Sequence, residues 1–220
     1  MTRIGIISDV HADVDALADA LTAAKQLGCD LVVCAGDVVD YGPFPEETII
    51  VLRKYGVRSI SGNHDAWAAQ RGQDDRGRIL SRAAMRFLRA LPACWNETID
   101  DVRVAVHHGR PGSYLDGIFT DLAGADDVAR WLREANADVL IVGHTHQHFT
   151  IQGLGGGLVV NPGSVLRNPP ISGLPATGTF GVLDLPSLRF AVYPVSGGPE
   201  IEIERRSAGI RDSRHRIVLG

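Results

Sequence analysis

Two hydrophobic periods alternate along the first part of the chain. Residues 3–8 and 31–35 are short apolar runs, which is the pattern of buried strands. Between them Val14, Leu17 and Leu21 begin a helical repeat that ends near Gly28, a common helix terminator. Pro45 begins a second helical pattern, and residues 57–61 form a third apolar run. This strand–helix–strand order favours a parallel sheet covered by helices.

The pattern changes in the second half of the chain. Residues 79–91 predict an amphipathic helix, residues 97–108 a hairpin that turns at Asp100-Asp101, residues 125–136 a helix and residues 139–142 a short strand. Apolar runs at 149–151, 158–160, 179–183 and 188–192 are separated by Gly and Pro turns and favour antiparallel strands. Residues 201–204 alternate like an exposed strand. The long Pro- and Gly-rich loop at 163–178 suggests a functional role.

Composition places the chain among ordinary globular proteins. Its 220 residues, 45% of them hydrophobic and 22% charged, predict one domain over residues 1–220. A formal net charge of -4 argues against binding long nucleic acid through its phosphates. No apolar segment is long enough to suggest a membrane span or a leader, so we expect a cytoplasmic protein without a membrane partner.

Five predicted strands run directly into side chains that can bind a metal ion. These strand ends read Asp9-x-His11, Gly36-Asp37, Gly62-Asn63-His64-Asp65, His107-His108-Gly109 and Gly143-His144-Thr145-His146. Any one of them alone could be a solvated loop or an Asx turn. In open α/β sheets, however, sites form at the carboxyl ends of strands. We therefore expect the five segments to converge.

In this order the five segments resemble the signature blocks of the calcineurin-like metallophosphoesterases. The resemblance runs from Ile4 to about Val192, and the stretches GDVVDYGPFPEE and VVNPGSVLR are similar to the compact prokaryotic branch without a large cap domain. It implies an α/β fold, a four-layer α/β/β/α sandwich of two mixed β-sheets flanked by helices. The later antiparallel strands are then expected in the second sheet.

The resemblance also implies a two-metal centre for phosphate-ester hydrolysis. Two divalent ions about 3.5–4 Å apart turn a bridging water into hydroxide, the nucleophile that attacks phosphorus, and grip the phosphate. Asp37 is the expected bridge between the ions. The other ligands are Asp9, His11 and His146 for the first ion, and Asn63, His108 and His144 for the second. Mixed oxygen and imidazole ligands favour manganese, with iron, zinc, cobalt or nickel as alternatives.

Further roles follow from neighbouring positions in the sequence. His64 is expected to protonate the leaving group, and Asp65 to orient its ring. His107 and His108 point opposite ways on an extended strand, and His108 is the expected ligand because Gly109 follows it.

Substrate contacts are less closely defined by the sequence. Arg110 and Arg167 either take a phosphate oxygen or are solvated. Tyr41 either walls the pocket or packs within a turn.

The function expected from the sequence is hydrolysis of a small phosphate ester. A phosphodiesterase is slightly favoured, because a compact chain suits an open cleft for two ester arms. A phosphomonoesterase or a protein phosphatase is the alternative. A non-catalytic metal-binding scaffold is disfavoured, because all seven expected ligands and His64 are present. The oligomeric state stays open.

Overall fold

The computed structural model describes residues 1–167, 177–203 and 205–207. The strands in these residues are β1 (Thr2–Ile7), β2 (Leu31–Cys34), β3 (Arg58–Ser59), β4 (Cys94–Ile99), β5 (Val102–His107), β6 (Val139–Ile141), β7 (His148–Gln152), β8 (Leu158–Pro162), β9 (Thr179–Leu185), β10 (Arg189–Pro194) and β11 (Arg205–Ser207). The helices are α1 (Val14–Gln26), α2 (Pro45–Lys54), α3 (Asn63–Arg71), α4 (Arg82–Ala90) and α5 (Ala125–Glu134).

The strands form two mixed sheets. The first has the order β10-β9-β1-β2-β3, with β1, β2 and β3 parallel, as predicted. The second has the order β11-β7-β8-β6-β5-β4 and contains both parallel and antiparallel pairs. Both sheets are flanked by helices, so the predicted fold class is confirmed.

The expectation that all the later antiparallel strands join the second sheet was wrong. Strands β9 and β10 belong to the first sheet, where β9 pairs with β1 on the side opposite to β2. The register sets Thr2 against Leu185 and Ile6 against Gly181. All seven residues of β9 are buried, because its two faces lie against different apolar layers of the protein. Alternation along β9 could not reveal which sheet it joins.

Side-chain alternation along the strands builds the layers. In β1, Ile4 and Ile6 point into the core between the two sheets, whereas Ile7 packs against the helices of the first sheet. In the second sheet, Val104 and Val106 face the same inter-sheet core. Ala105, between them, faces the layer of α5. Three apolar clusters therefore separate four layers: helices α1–α4, the first sheet, the second sheet and α5.

Most local predictions hold, with shifts at element ends. The hairpin β4–β5 turns at Asp100 and Asp101, whose φ values of 49° and 65° fit a two-residue turn. Helix α4 begins later than predicted because Ser81 caps it, its Oγ accepting the Ala84 amide at 3.1 Å. Ile201 forms an isolated bridge to β10 rather than a strand.

Two predicted features fall partly outside the structure. Residues 168–176 of the predicted functional loop and residue 204 of the predicted exposed strand lie outside the described residues. Within the described residues, no helix combines the length and the apolar character needed to cross a membrane.

We predict that Ile6→Ala lowers the free energy of unfolding by about 2–5 kcal/mol, because it leaves a cavity in the inter-sheet core, where Ile6 is fully buried. Ile50→Ala is the matched control, since Ile50 lies on α2 with 61% of its side chain exposed, and it should change stability by less than about 0.5 kcal/mol. Urea denaturation followed by circular dichroism measures both. Equal losses in the two variants would contradict the four-layer packing.

Candidate metal centre

The seven expected ligands come together in the structure at one edge of the two sheets. They follow the ends of β1, β2, β3, β5 and β6, which the parallel pairings bring to the same side. The ligand atoms of six of them form two groups: Asp9, His11 and His146; and Asp37, His108 and His144. In the first group all three side chains are buried, and in the second only His144 is partly exposed. The segments from five strand ends thus form one compact cluster.

The first group surrounds Asp9 Oδ1, a carboxylate oxygen that accepts no hydrogen bond from the described residues. Asp9 Oδ2 accepts hydrogen bonds from Ser8 Oγ at 2.5 Å and from the His144 amide at 3.0 Å. Asp9 Oδ1 is buried and forms no hydrogen bond with the described residues, although His146 Nε2 lies 3.3 Å away. His11 Nε2 and His146 Nε2 face each other at 3.2 Å. A buried free carboxylate oxygen between imidazole nitrogens fits a cation.

Asn63 completes the second group, and Asp37 connects that group to the first. Asn63 Oδ1 lies 3.0 Å from both His108 Nε2 and His144 Nδ1. Asp37 Oδ2 lies 3.1 Å from His108 Nε2 and 3.9 Å from His11 Nε2. One carboxylate oxygen is therefore within reach of both groups, as a bridging ligand must be.

Backbone carbonyls orient two of the imidazoles. His108 Nδ1 lies 2.8 Å from the Ala35 carbonyl, and His11 Nδ1 lies 3.2 Å from the Val39 carbonyl. Because a carbonyl only accepts, each Nδ1 carries a proton, and Nε2 is then the nitrogen of the neutral ring that can bind a metal ion. Carbonyl acceptors behind ligating histidines are a common device at metal sites.

Burial and charge set opposite protonation states for these groups. Burial opposes a charge on His108, but Asp37 outweighs it and raises the pKa of His108 to about 10. Burial lowers the pKa of His11 to about 4. Burial would also keep Asp9 protonated, yet the His146 imidazole, 3.3 Å from its Oδ1, lowers the pKa of Asp9. Without a metal ion, a protonated imidazole offsets the charge of the buried carboxylates. A metal cation can replace the proton of that imidazole.

The turns that carry these side chains have unusual backbone conformations. Eight of the twelve described non-glycine residues with positive φ lie here, namely Asp9, His11, Ala12, Asp37, Asp40, Tyr41, His144 and His146. Such conformations cost free energy and persist where the surrounding structure holds them, which is common at functional sites.

The segment VVNPGSVLR holds two of the strained turns, a role that the motif alone did not show. Asn161 is fully buried, and its Nδ2 donates to the Gly143 carbonyl at 2.8 Å and to Thr145 Oγ1 at 3.2 Å. Ser164 Oγ donates to the Asp9 carbonyl at 2.8 Å. Asn161 and Ser164 therefore position ligand-bearing loops without reaching the cluster themselves.

The His64 ring is oriented by Asp40, which sequence reasoning missed. His64 lies in the first turn of α3, and its Nδ1 lies 2.9 Å from Asp40 Oδ2. Arg71 donates to the same oxygen at 3.0 Å, and the Asp75 amide donates to Oδ1 at 2.9 Å. The only sequence signal for Asp40 was its place in GDVVDYGP, three residues after Asp37.

The expectation that Asp65 orients the His64 ring was wrong. Asp65 is buried in the first turn of α3, and its Oδ1 accepts the amides of Val38 and Val39 at 2.9 and 3.2 Å. Its Oδ2 accepts the Gly62 amide at 3.0 Å. Adjacent residues on a helix point in different directions, so Asp65 fastens the loop after β2 while His64 faces the cluster.

Of the three predicted substrate contacts, Tyr41 lies against the cluster. Its ring centroid is 4.3 Å from that of His11 and 4.7 Å from that of His64. Arg110 instead pairs with Asp116 at 2.8 Å, and Arg167 pairs with Asp19 at 2.9 Å. Trp67, which sequence reasoning did not single out, packs 5.0 Å from the His64 ring and is 37% exposed. The His64 side of the cluster is thus bordered by aromatic rings.

Residues 2–187 match the calcineurin-like phosphoesterase superfamily domain. The chain belongs to this superfamily. It is a metal-dependent phosphoesterase, as predicted, and the superfamily acts on small phosphate esters with divalent metal ions.

Several proteins are similar to this calcineurin-like phosphoesterase. An uncharacterised protein of Methanocaldococcus jannaschii is 27% identical over 80% of this chain and 79% of its own length. A hypothetical protein of Pyrococcus horikoshii has the same fold, with a TM-score of 0.71, 20% identity, and coverage of 93% of this chain and 89% of that one. A metallophosphoesterase of Sphaerobacter thermophilus matches with a TM-score of 0.66, 24% identity, and coverage of 92% and 90%. The two structures support the fold.

We predict that Gly62→Ala in this phosphoesterase lowers the metal content and the activity together. A Cβ at position 62 would lie 2.1 Å from Asp37 Oδ1, so the carboxylate would have to move. Gly155→Ala is the matched control, because a Cβ there meets nothing within 4 Å. Elemental analysis of both purified variants gives the metal content. Full occupancy in Gly62→Ala would show that the position of Asp37 is not critical for binding.

Proposed function

We propose that the protein hydrolyses phosphate esters at a centre that holds two divalent transition-metal ions. The observation that carries this proposal is the position of Asp37 Oδ2, 3.1 Å from His108 Nε2 in one group and 3.9 Å from His11 Nε2 in the other. One carboxylate shared by two ligand groups is the arrangement that a two-metal phosphoesterase needs.

The two groups would divide the ligands as follows. Asp37 would be shared, with Asp9, His11 and His146 on the first ion, and Asn63, His108 and His144 on the second. When bound, the ions would supply a strong nucleophile at neutral pH and neutralise charge on the phosphoryl oxygens. The mixture of carboxylate, amide and imidazole donors favours manganese among Mn, Fe, Zn, Co and Ni.

His64 is proposed to donate the proton to the leaving alcohol. Its Nδ1 is held by Asp40, and its Nε2 has no hydrogen bond with the described residues, so Nε2 is available to the substrate. Burial opposes protonation of the ring, but the hydrogen bond with Asp40 and the charge of Asp37 outweigh burial and raise the pKa of His64. A raised pKa keeps the imidazole protonated to a higher pH than an ordinary histidine, which favours its use as a general acid. Asp65 acts in this scheme by fastening the loop that carries Asp37, and its charge adds to the rise in the pKa of His64.

A phosphodiester is the slightly favoured substrate, with phosphomonoesters or phosphoproteins as the alternatives. A diester needs room for a second arm, and the exposed edge of Trp67 together with the open space beyond Tyr41 supports such an arm on the His64 side. Comparing kcat/KM for bis(p-nitrophenyl) phosphate and p-nitrophenyl phosphate tests this preference. A higher value for the monoester would contradict it.

Asp37→Asn is expected to be among the most damaging single substitutions, because an amide is a weaker ligand and both ions would share the loss. We predict that the variant retains less than one metal ion per chain and loses most of its diester hydrolysis. Elemental analysis and a hydrolysis assay on the same preparation measure the two effects.

The matched control is Asp126→Asn, an exposed carboxylate in the first turn of α5, which should keep wild-type metal content and rate. Chelation should lower the melting temperature of the wild type, because metal binding stabilises the native state by mass action. Full activity in metal-free wild-type protein would contradict the proposal.

His64→Ala should slow hydrolysis of alkyl esters by about 10²–10⁴-fold while nitrophenyl esters lose much less, since nitrophenolate departs without a proton. Metal content should stay near that of the wild type. Rates on both ester types, with metal analysis of the same sample, make the comparison. Equal losses on both types, or loss of an ion, would mean that His64 is a ligand or stabilises charge.

Asp40→Asn provides a separate test of how His64 is tuned. Asp40 helps to raise the pKa of His64, so the substitution should lower that pKa. The protonated acid would then be lost at a lower pH, and the high-pH limb of the rate profile for alkyl esters should move to lower pH. An unchanged limb would show that another group produces it.

A further inference from the structure

A cleft of about 280 Å³ is lined by Tyr41, whose ring also packs against His64. The side chains that define it are Tyr41, Phe44, Leu166, Arg76, Asp13 and Asp15, and we call it the Tyr41 cleft. A cleft of about 370 Å³ lies beside α5, and another of about 290 Å³ is lined by His107, His108 and Arg110, but none of the rings that pack against His64 lines either one. The Tyr41 cleft is therefore the one that shares a residue with the surroundings of the proposed proton donor.

Tyr41 forms a wall that the metal centre and the cleft have in common. Its ring packs at 4.3 Å from His11 and at 4.7 Å from His64, while the same residue lines the cleft. The backbone after Tyr41 is tied to the ligand loop, since the Gly42 amide donates to the His11 carbonyl at 2.8 Å. His64 is proposed to protonate the leaving alcohol, and Tyr41 packs against His64. The arm of the substrate that lies along Tyr41 would therefore be the leaving alcohol.

The walls and rim of the cleft combine aromatic faces with a free donor and a free acceptor. Phe44 is 43% exposed, and Leu166 completes the apolar lining. The Arg76 guanidinium and the Asp15 carboxylate form no hydrogen bond or ion pair with the described part of the chain. Asp13, in contrast, is occupied, because it caps α1 through the Ala16 amide.

This combination favours a planar group that both donates and accepts hydrogen bonds. Aromatic side chains stack on any nucleobase. Arg76 can donate to ring nitrogens or carbonyl oxygens of a base, and Asp15 can accept from an exocyclic amino group. An aliphatic alcohol would use the apolar walls alone, and a purely anionic arm would be repelled by Asp15.

We propose that the Tyr41 cleft binds the nucleoside portion of the substrate, so that the phosphoesterase releases a nucleoside as its leaving alcohol. This inference rests on the proposed function for the position of the phosphate. The cleft itself is a property of side chains that are not metal ligands.

Calorimetric titration of the metal-loaded protein with adenosine tests the proposal, since adenosine carries no phosphate and cannot be hydrolysed. We expect saturable one-to-one binding of adenosine and none of ribose. Arg76→Ala and Phe44→Leu should each weaken adenosine binding by about tenfold. Arg53→Ala, an exposed arginine on α2 outside the cleft, should bind like the wild type.

The nucleoside site and the proposed hydrolysis of phosphate esters would be contradicted by different results. Hydrolysis of nitrophenyl esters without adenosine binding would overturn the nucleoside proposal and leave the proposed function intact. Adenosine binding that neither Arg76→Ala nor Phe44→Leu weakens would overturn it as well. Adenosine binding that depends on Arg76, in a protein that hydrolyses no ester, would support the cleft as a nucleoside site and contradict the proposed hydrolysis.

Discussion

The burial of two carboxylates, Asp9 and Asp37, among imidazoles is the interaction on which the rest of the site depends. Both side chains are almost inaccessible to solvent, and Asp9 Oδ1 has no hydrogen bond within the described residues. Removing an ion from water costs several kcal/mol unless an opposite charge accompanies it. In the protein alone, protonated His108 supplies part of that charge. Metal cations would supply more, which explains why donors from separate strand ends face one small volume.

The fold keeps these side chains in place although several residues that carry them have unfavourable backbone conformations. The turns after β1, β2 and β6, which carry five of the candidate ligands, leave their strands through residues with positive φ, at a cost of about 1–3 kcal/mol where the conformation is sparsely populated. The two sheets fix the strand ends, and Asn161 and Ser164 fasten the turns from behind. Asp65 does the same for the loop that carries Asp37. The buried polar groups around the cluster thus keep the candidate ligands in place.

Periodicity predicted most of the elements and the strand-end residues predicted a convergence of polar side chains, whereas the two-sheet fold and the ligand sets were implied by the family resemblance. Asp37 and His108 each follow a recognisable apolar strand, so both were predicted at strand ends, but their strands lie in different sheets and the packing of the two sheets brings them together. The place of β9 could not be predicted in this way, because a strand buried on both faces carries no signal for its neighbour. The role of Asp40 was missed, because a contact with His64 across 24 residues has no local signature. Helix α3 was missed for a related reason: it begins inside the ligand motif, where polar residues hide its short apolar face.

Electron paramagnetic resonance of the manganese-loaded protein tests most directly whether one carboxylate joins two metal ions. Two ions about 3.5–4 Å apart are coupled by exchange through their bridging ligands. As Mn²⁺ is added to two equivalents per chain, the account predicts that an exchange-coupled spectrum replaces the signal of isolated ions. Asp37→Asn should abolish the coupled spectrum. A six-line signal of uncoupled ions that saturates at one equivalent, or persists at two, would contradict the two-metal centre.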